Sequence, residues 1–240
     1  MNDDPNDVWK INDKELHAYH NRQYDEMYKS TEFLIDQLQL KWANEKSLSV
    51  LDIGCGGGAN LYYIAKQFPN LQFAGIDIND YFVEEAIARH RELGITNTSF
   101  KASGFEDIEE EYDVIGSSQV LEVVTMNKAK ELKEACFQHA KKAVYFLAMF
   151  TDKKLDYEIN IHDYLYDKVI PYNIYSIPQM NNLASKYGFS LTNSEEFVIN
   201  MVLPDVHKGR GTYTRRDEHG KLMMFTDVLY MPWRLLYYEK

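Results

Sequence analysis

The residues with the clearest chemical meaning are the glycines that follow a short apolar run. The run ends just after Asp52, glycines stand at Gly54 and at 56–58, and an apolar helix face begins at Leu61. A strand, a glycine turn and a helix in this order let backbone N–H groups approach an anionic or zwitterionic ligand at the helix N-terminus. The segment therefore predicts a binding site for a nucleotide-like cofactor.

Two glycine spacings leave the identity of that cofactor open. Gly54, Gly56 and Ala59 satisfy the G-x-G-x-x-[GA] fingerprint of NAD binding, whereas Gly54, Gly56 and Gly58 satisfy G-x-G-x-G. Asp52 favours the second interpretation, because a carboxylate there would face a dinucleotide pyrophosphate unfavourably. It suits a ligand with an ammonium group, such as S-adenosylmethionine (SAM). An NAD-dependent oxidoreductase and a catalytically silent SAM-binding protein are the alternatives.

Strand and helix patterns alternate behind this motif, as expected of an α/β fold. Strands are predicted at 49–53, 71–76, 98–102, 112–117 and 143–150, with helices between them. Residues 189–200 and 223–238 read as two strands without an intervening helix, so they should pair antiparallel. The pattern predicts a doubly wound, mostly parallel seven-stranded sheet with an antiparallel last strand and helices on both faces.

Two parts of the chain are distinguished by their patterns. Residues 1–45 are predicted to form a helical lid or packing segment, with Asp13 and either Ser30 or Thr31 as helix N-caps. Residues 46–240 form the α/β domain, in which Asp80 is predicted to cap the helix after the second strand. Ser176 and Gln179 are predicted to form a capping box for a helix that ends at Tyr187. Long connections at 151–175 and 201–222 are predicted insertions, and connections of this length are often functional.

Composition restricts the class of protein. The 240 residues suffice for one domain with a full core, and the formal net charge of −11 argues against a general nucleic-acid or anionic-membrane binder. The sequence has no apolar run of membrane-spanning length and no signal-peptide core. Cys55 and Cys136 form neither a metal-ligand pattern nor a disulfide framework, so no metal is expected. A cytoplasmic location is the expectation.

Several motifs together resemble one enzyme family. Residues 52–58 resemble the first motif of class I SAM-dependent methyltransferases, and 75–78 match the place where that family has an acid at the end of its second strand. The similarity continues to the segment before 106–108, where the family contacts adenine, and to 112–122, its fourth-strand motif. It covers roughly 48–150 well, and it implies an enzyme that transfers a methyl group from SAM.

The resemblance also implies a set of cofactor-binding residues. Asp52 would hold the ammonium group of SAM, Asp77 the two ribose hydroxyls, and the glycine loop would approach the methionine end. Many relatives carry an aspartate at Ser103 or Gly104, so Glu106, Asp107 or a backbone carbonyl must meet the adenine amino group here. The full predicted set is Asp52, Gly54, Cys55, Gly56, Asp77, Ile78, Phe105, Glu106, Ser117 and Ser118.

The methyl acceptor is sought in the two long connections. His162 is the first candidate for a catalytic base, because a hydroxyl acceptor usually needs one. The basic segment with Arg210, Arg215 and Arg216 suggests an anionic small molecule, such as an acidic sugar or a sugar nucleotide, since arginine binds carboxylates and phosphates bidentately. A solvated basic hairpin is the alternative. Nucleic acid is disfavoured, because the residues after Gly116 are not the Asn/Asp-Pro-Pro-aromatic run of base-amino methyltransferases.

Overall fold

A computed structural model describes residues 14–164, 168–204, 212–226 and 229–240. Its strands in chain order are β1 (Ser49–Ile53), β2 (Gln72–Asp77), β3 (Thr98–Ala102), β4 (Tyr112–Ser118), β5 (Ala140–Thr151), β6 (Asn160–Asp163), β7 (Lys168–Pro171), β8 (Tyr175–Ser176), β9 (Ser190–Glu196), β10 (Thr212–Arg216), β11 (Leu222–Thr226), β12 (Leu229–Tyr230) and β13 (Trp233–Glu239). Its helices are α1 (Lys14–Asp25), α2 (Lys29–Trp42), α3 (Ala59–Gln67), α4 (Asp80–Glu92), α5 (Met126–His139) and α6 (Ile177–Lys186).

The main sheet has the strand order β3-β2-β1-β4-β5-β13-β9, with the short β8 paired to β5. Strands β1 to β5 are parallel, whereas β13 runs antiparallel to both of its neighbours, β5 and β9. The predicted α/β fold with an antiparallel last strand is confirmed. Because β1 to β4 are parallel, their carboxyl ends meet at one edge of the sheet, where doubly wound folds bind ligands.

Helices cover both faces of this sheet and bury two apolar clusters. On one face Leu34 and Trp42 of α2 pack with Ile64 of α3, and on the other Phe137 of α5 packs with Met180 of α6. Helix α2 is thus part of the central packing, and its Trp42 Nε1 donates to the Tyr237 hydroxyl at 3.0 Å. No helix in the described ranges is long and apolar enough to cross a membrane.

The N-cap residues predicted from the sequence are only partly confirmed. The hydroxyl of Ser176 accepts from the Gln179 N–H at 3.3 Å and caps α6, as predicted. The cap of α4 is Asn79 rather than Asp80, because Asn79 precedes the first turn with extended backbone and accepts from the Phe82 N–H. Neither Ser30 nor Thr31 caps α2, because the helix already begins at Lys29, with Tyr28 at the cap position. The predicted cap Asp13 lies outside the described residues.

The last third of the chain is more divided than its apolar pattern predicts. The single strand expected over 223–238 is three strands, of which β11 and β12 form a small antiparallel sheet with β10, and β13 joins the main sheet. Pro232 precedes β13 and cannot donate a ladder hydrogen bond, which is one reason why the pairing breaks there. Within the predicted insertion 151–175, β6 and β7 form an antiparallel hairpin.

Candidate active site

The glycine loop leaves β1 at the carboxyl edge of the sheet and is held tightly against its neighbours. Gly54 and Gly56 have φ angles of 78° and 51°, in the left-handed region that favours glycine. The N–H groups of Gly54 and Cys55 both donate to the Ile76 carbonyl, at 2.8 and 3.1 Å. A Cβ atom on Gly56 would lie 2.9 Å from the His20 ring. Side chains at these glycine positions would therefore prevent the backbone from coming this close to its neighbours.

Asp77 at the end of β2 is tied to this loop. Its Oδ2 accepts from the Gly56 N–H at 2.8 Å, and its Oδ1 accepts from the Asn79 N–H at 2.9 Å. Burial raises the pKa of Asp77, and these backbone donors offset part of the rise. Each carboxylate oxygen keeps a further acceptor site. The side chain can therefore accept two more hydrogen bonds from a ligand with vicinal hydroxyls.

Asp52 is buried in β1, the strand next to β2. Its side chain is 4% exposed, and burial together with the charge of Asp77 raises its pKa to about 7. Two carboxylates that repel each other in a buried place favour a cationic ligand, because a nearby positive charge stabilises both ionised forms. Burial also raises the pKa of the Cys55 thiol well above its usual range, so this cysteine is a neutral loop residue.

A cavity of about 950 Å³ opens beside the loop. It is near the upper end of the roughly 300–1,000 Å³ range of small-molecule sites, which leaves room for a second ligand. Of the predicted cofactor residues, those that line it are Gly54, Cys55, Gly56, Asp77, Ile78, Phe105, Glu106 and Ser118. Asp52 and Ser117 lie behind this lining, where the buried Ser117 hydroxyl donates to the Ile53 carbonyl at 3.2 Å.

The end of the cavity predicted for adenine is formed after β2 and β3. Ile78 is 40% exposed there, and Phe105 lies on a short 3₁₀ turn with the Lys128 ammonium 5.5 Å from its ring centroid. A Cβ on Gly104 would collide with the Glu106 carboxylate, so Glu106 fills the space of a side chain at that position. Glu106 also pairs with Lys128 at 2.5 Å.

Helix α1 closes one side of the loop. The Tyr24 hydroxyl donates to the Gly57 carbonyl at 2.5 Å, and the Tyr63 hydroxyl donates to the Tyr24 carbonyl at 2.8 Å. His20 and Gln23 of the same helix line the cavity. His20 and Gln23 were not predicted as site residues, because the lid or packing role expected of 1–45 does not indicate which side chains of the helix reach the cavity.

The predicted acceptor-side residues lie elsewhere. His162 is exposed on β6, with its ring centroid 6.4 Å from that of Tyr164, and it is not part of the cavity lining. Arg215 lies over the Tyr213 ring, and Arg216 donates to the Gly220 carbonyl at 2.7 Å. Both arginines are exposed and outside the lining, and Arg210 lies outside the described residues.

The structure instead brings another group of residues to the cavity. Gln119, Glu122, Tyr172 and Trp233 line it, and Glu122 is only 2% exposed. An acid inside the apolar run 120–124 is a sequence signal for Glu122, since such runs rarely bury an unpaired charge. No described His, Cys, Asp and Glu side chains form a group of three that could hold a metal ion.

Comparison with known proteins identifies the family. The sequence profile of a methyltransferase domain matches residues 44–181, which is more than half of the chain and includes the loop, Asp77 and the fourth-strand motif. The chain belongs to the class I SAM-dependent methyltransferases. The resemblance predicted from the motifs is thereby confirmed, and the cofactor of this family is SAM. The choice that the glycine spacing left open between NAD and SAM falls on SAM.

Individual relatives share only part of the chain. A ribosomal RNA small subunit methyltransferase C from Psychromonas ingrahamii is 30% identical over 40% of this chain and 26% of its own length. A malonyl-[acyl-carrier protein] O-methyltransferase from Bacillus cereus is 28% identical over 44% of this chain and 38% of its own length. The chain thus matches well under half of the length of these curated relatives.

One solved structure matches the chain end to end. Magnesium protoporphyrin IX methyltransferase from Synechocystis, crystallised with bound SAM, superposes with a TM-score of 0.66. The match covers all of this chain and 98% of that one at 15% identity, so it shows a common fold. The antiparallel strand between β5 and β9 also separates this sheet from the 3-2-1-4-5-6 order of dinucleotide-binding folds.

Proposed function

We propose that this protein transfers the methyl group of SAM to a small-molecule acceptor bound in the same cavity. The observation that carries the proposal is the pair of carboxylates, buried Asp52 and partly buried Asp77, beside a left-handed glycine loop at the edge of a large cavity. Buried negative charge beside free acceptor sites suits a cofactor with ammonium and sulfonium charges and two ribose hydroxyls. SAM supplies an activated methyl group on sulfur.

The residues present fit each part of this cofactor. Asp77 accepts the ribose hydroxyls, and the negative charge of Asp52 stabilises the ammonium group. Ile78 and Phe105 offer apolar surface to the adenine, beside Glu106. The protein's main contribution to methyl transfer is orientation, which can lower a barrier by roughly 7–11 kcal/mol when the reacting atoms are aligned.

The acceptor side of the cavity supports a small apolar molecule. Outside the predicted cofactor set, the lining includes the apolar residues Val120, Val123, Val124, Leu132 and Trp233. A structured RNA acceptor would need a basic surface for its phosphates, whereas this chain has a net charge of −11. These apolar lining residues and the acidic chain both favour a small molecule over nucleic acid.

An anionic acceptor, such as an acidic sugar or a sugar nucleotide, is the narrower hypothesis from the basic segment. It requires Arg210 or Arg215 to reach a ligand in the cavity, and Arg215 is placed against Tyr213 instead. Replacing Arg210 and Arg215 by alanine should lower turnover of such an acceptor without changing cofactor affinity. Unchanged turnover would exclude this class of acceptor.

Calorimetry with S-adenosylhomocysteine (SAH), the product of SAM, tests the cofactor assignment. We expect SAH to bind and NADH not to bind, and Asp77→Asn to weaken SAH by about 10- to 100-fold through loss of hydrogen bonds to a charged acceptor. Asp113→Asn is the matched control, because Asp113 pairs with Lys142 at the opposite end of β4. Absence of SAH binding, or equal affinity in wild type and Asp77→Asn, would refute the proposed function.

A further inference from the structure

Glu122 is buried, and the packing of the described residues gives no reason for a carboxyl group at this place. Glu122 lies on a short 3₁₀ turn, Leu121–Val123, just after β4, and it lines the cavity while only 2% exposed. Its Oε2 atom has no hydrogen-bond partner in the described part of the chain. An unsatisfied buried polar atom typically costs about 1–3 kcal/mol, so a side chain that keeps one points to a ligand or a reaction.

The turn that carries Glu122 is fixed from both sides. Gln119, at its entry, has a φ of 61°, a left-handed conformation that is costly for a side chain other than glycine. The Asn173 N–H donates to the Glu122 carbonyl at 2.8 Å, and the Tyr175 hydroxyl donates to the Leu121 carbonyl at 2.7 Å. The backbone of this turn is therefore clamped in a strained form beside the cavity.

Two lysines of the neighbouring helix α5 are engaged with other groups, and a third, Lys130, is exposed. Lys128 pairs with Glu106 at 2.5 Å, and the Lys133 ammonium lies 4.2 Å from the centroid of the Tyr175 ring. No described ion pair includes Glu122. Burial raises the pKa of Glu122 to about 8, which brings it close to the range in which a general base works best near neutral pH.

Apolar residues of the same turn and of α5 line the cavity together with Glu122. Val120, Val123 and Val124 come from the same turn and Leu132 from α5. An apolar body can occupy this part of the cavity, and one donor group on it can reach Glu122. A hydroxyl group is such a donor, and it is also the kind of acceptor that needs a base, because its oxygen gains nucleophilicity when the proton leaves.

We propose that Glu122 is the catalytic base of the methyl transfer and that the acceptor is a hydroxyl group on an apolar molecule, with a phenol as the chemical class. This inference rests on the proposed function. The bond from the acceptor oxygen to the methyl carbon forms while the carbon–sulfur bond breaks, and the sulfonium becomes the neutral thioether of SAH. The hydroxyl proton passes to the Glu122 carboxylate, which later releases it to water.

Two phenol probes and the isosteric variant Glu122→Gln test the proposal. With radiolabelled SAM and thymol, an apolar phenol, we expect Glu122→Gln to lower kcat by about 10²- to 10⁴-fold, while KM for SAM stays within about threefold. The wild-type kcat/KM should rise with pH up to about 8 and then level off, because the base must be ionised, whereas the variant should lack this rise. Thymol methyl ether should not react.

A second probe reads proton transfer without turnover. 3-Nitrophenol becomes yellow when it ionises, with a pKa slightly above the value of about 8 for Glu122, so we expect the wild-type SAH complex to bind it as the anion near pH 8, where Glu122 is partly ionised and most of the free probe is still protonated. Glu122→Gln should leave it protonated. Glu195→Gln, an exposed acid on β9, is the matched control and should behave like wild type.

The outcomes separate this inference from the proposed function. If the wild-type protein does not bind SAH, the proposed function itself is refuted. If SAH still binds, either of two results overturns the role of Glu122. One is that nitrophenol stays protonated in the wild-type complex, and the other is that Glu122→Gln methylates thymol as fast as the wild type. Ionisation that depends on Glu122 supports it, even if thymol is a poor acceptor. A Glu122→Gln protein that still binds SAH is folded, so its loss of activity is chemical.

Discussion

Replacing Asp52 by asparagine should change the pH dependence of stability and weaken the cofactor together. Burial and the charge of Asp77 hold the pKa of Asp52 at about 7 against an ordinary value of 3.8. Because the folded-state pKa is the higher one, the stability of the free protein is fully present below about pH 4 and is lost as pH rises to about 7. A shift of this size corresponds to about 4 kcal/mol.

The asparagine side chain in the Asp52→Asn variant is nearly isosteric with aspartate and does not titrate. We expect the free energy of unfolding of Asp52→Asn to exceed that of wild type by up to about 4 kcal/mol above pH 7, and the difference to vanish near pH 4. SAH affinity should move in the opposite direction, with a Kd about 10- to 100-fold higher, because the ammonium group loses a charged partner. Greater stability with weaker cofactor binding is the signature of a functional charge.

Urea unfolding at several pH values and calorimetry with SAH measure the two effects. Asp113→Asn is the control with the opposite sign. Burial opposes the shift, but the Ser49 N–H and the Lys142 ammonium together lower the pKa of Asp113, so its neutralisation should cost stability at neutral pH and leave SAH affinity unchanged. Parallel stability curves for wild type and Asp52→Asn, or equal Kd values for SAH, would refute the reasoning.

Two glycine substitutions test the backbone of the site and of the sheet. Gly56→Ala should lose about 1–2 kcal/mol of stability through its left-handed φ and should also weaken SAH binding, because the new Cβ meets His20. Gly94→Ala has a comparable φ of 69° with open space around it, so it should lose stability without any change in SAH affinity. Equal SAH affinities for the two variants would contradict this expectation. Gly116→Ala should lower the free energy of unfolding in urea by about 1–3 kcal/mol, because its Cβ collides with the Tyr145 ring. Adding Tyr145→Leu should recover part of the loss, and no recovery would show that the collision is not the cause.

Much of the fold follows from local patterns in the sequence. The apolar strands of 49–53 and 112–117, the glycine turn at Gly54 and the Ser176 cap depend on neighbours in the chain, so their residue types indicate their conformations. The prediction of a single strand over 223–238 is wrong, because the pairing there depends on residues that are distant in the chain. An apolar pattern does not reveal where pairing changes from one sheet to another, and here β11 and β13 join different sheets.

The residues predicted for the cofactor come together in the fold because one short motif and one strand end contain most of them. Gly54, Gly56 and Asp77 follow strands that are adjacent in the sheet, and eight of the ten predicted cofactor residues line the cavity. The spacing of Asp52 and the glycines indicates a site for SAM, and the family match agrees.

Only the tertiary structure decided what faces the cofactor residues across the cavity. His162 and Arg215 have residue types suited to catalysis and anion binding, but their strands place them on exposed surfaces. Glu122 belongs to the 112–122 motif but was not predicted as a site residue, yet Asn173 and Tyr175 fix its turn beside the cavity, and its Oε2 has no hydrogen-bond partner in the described part of the chain. Residue type and spacing specify a ligand site when one turn contains it. Burial and the pKa shifts that follow from it arise only when distant segments pack together.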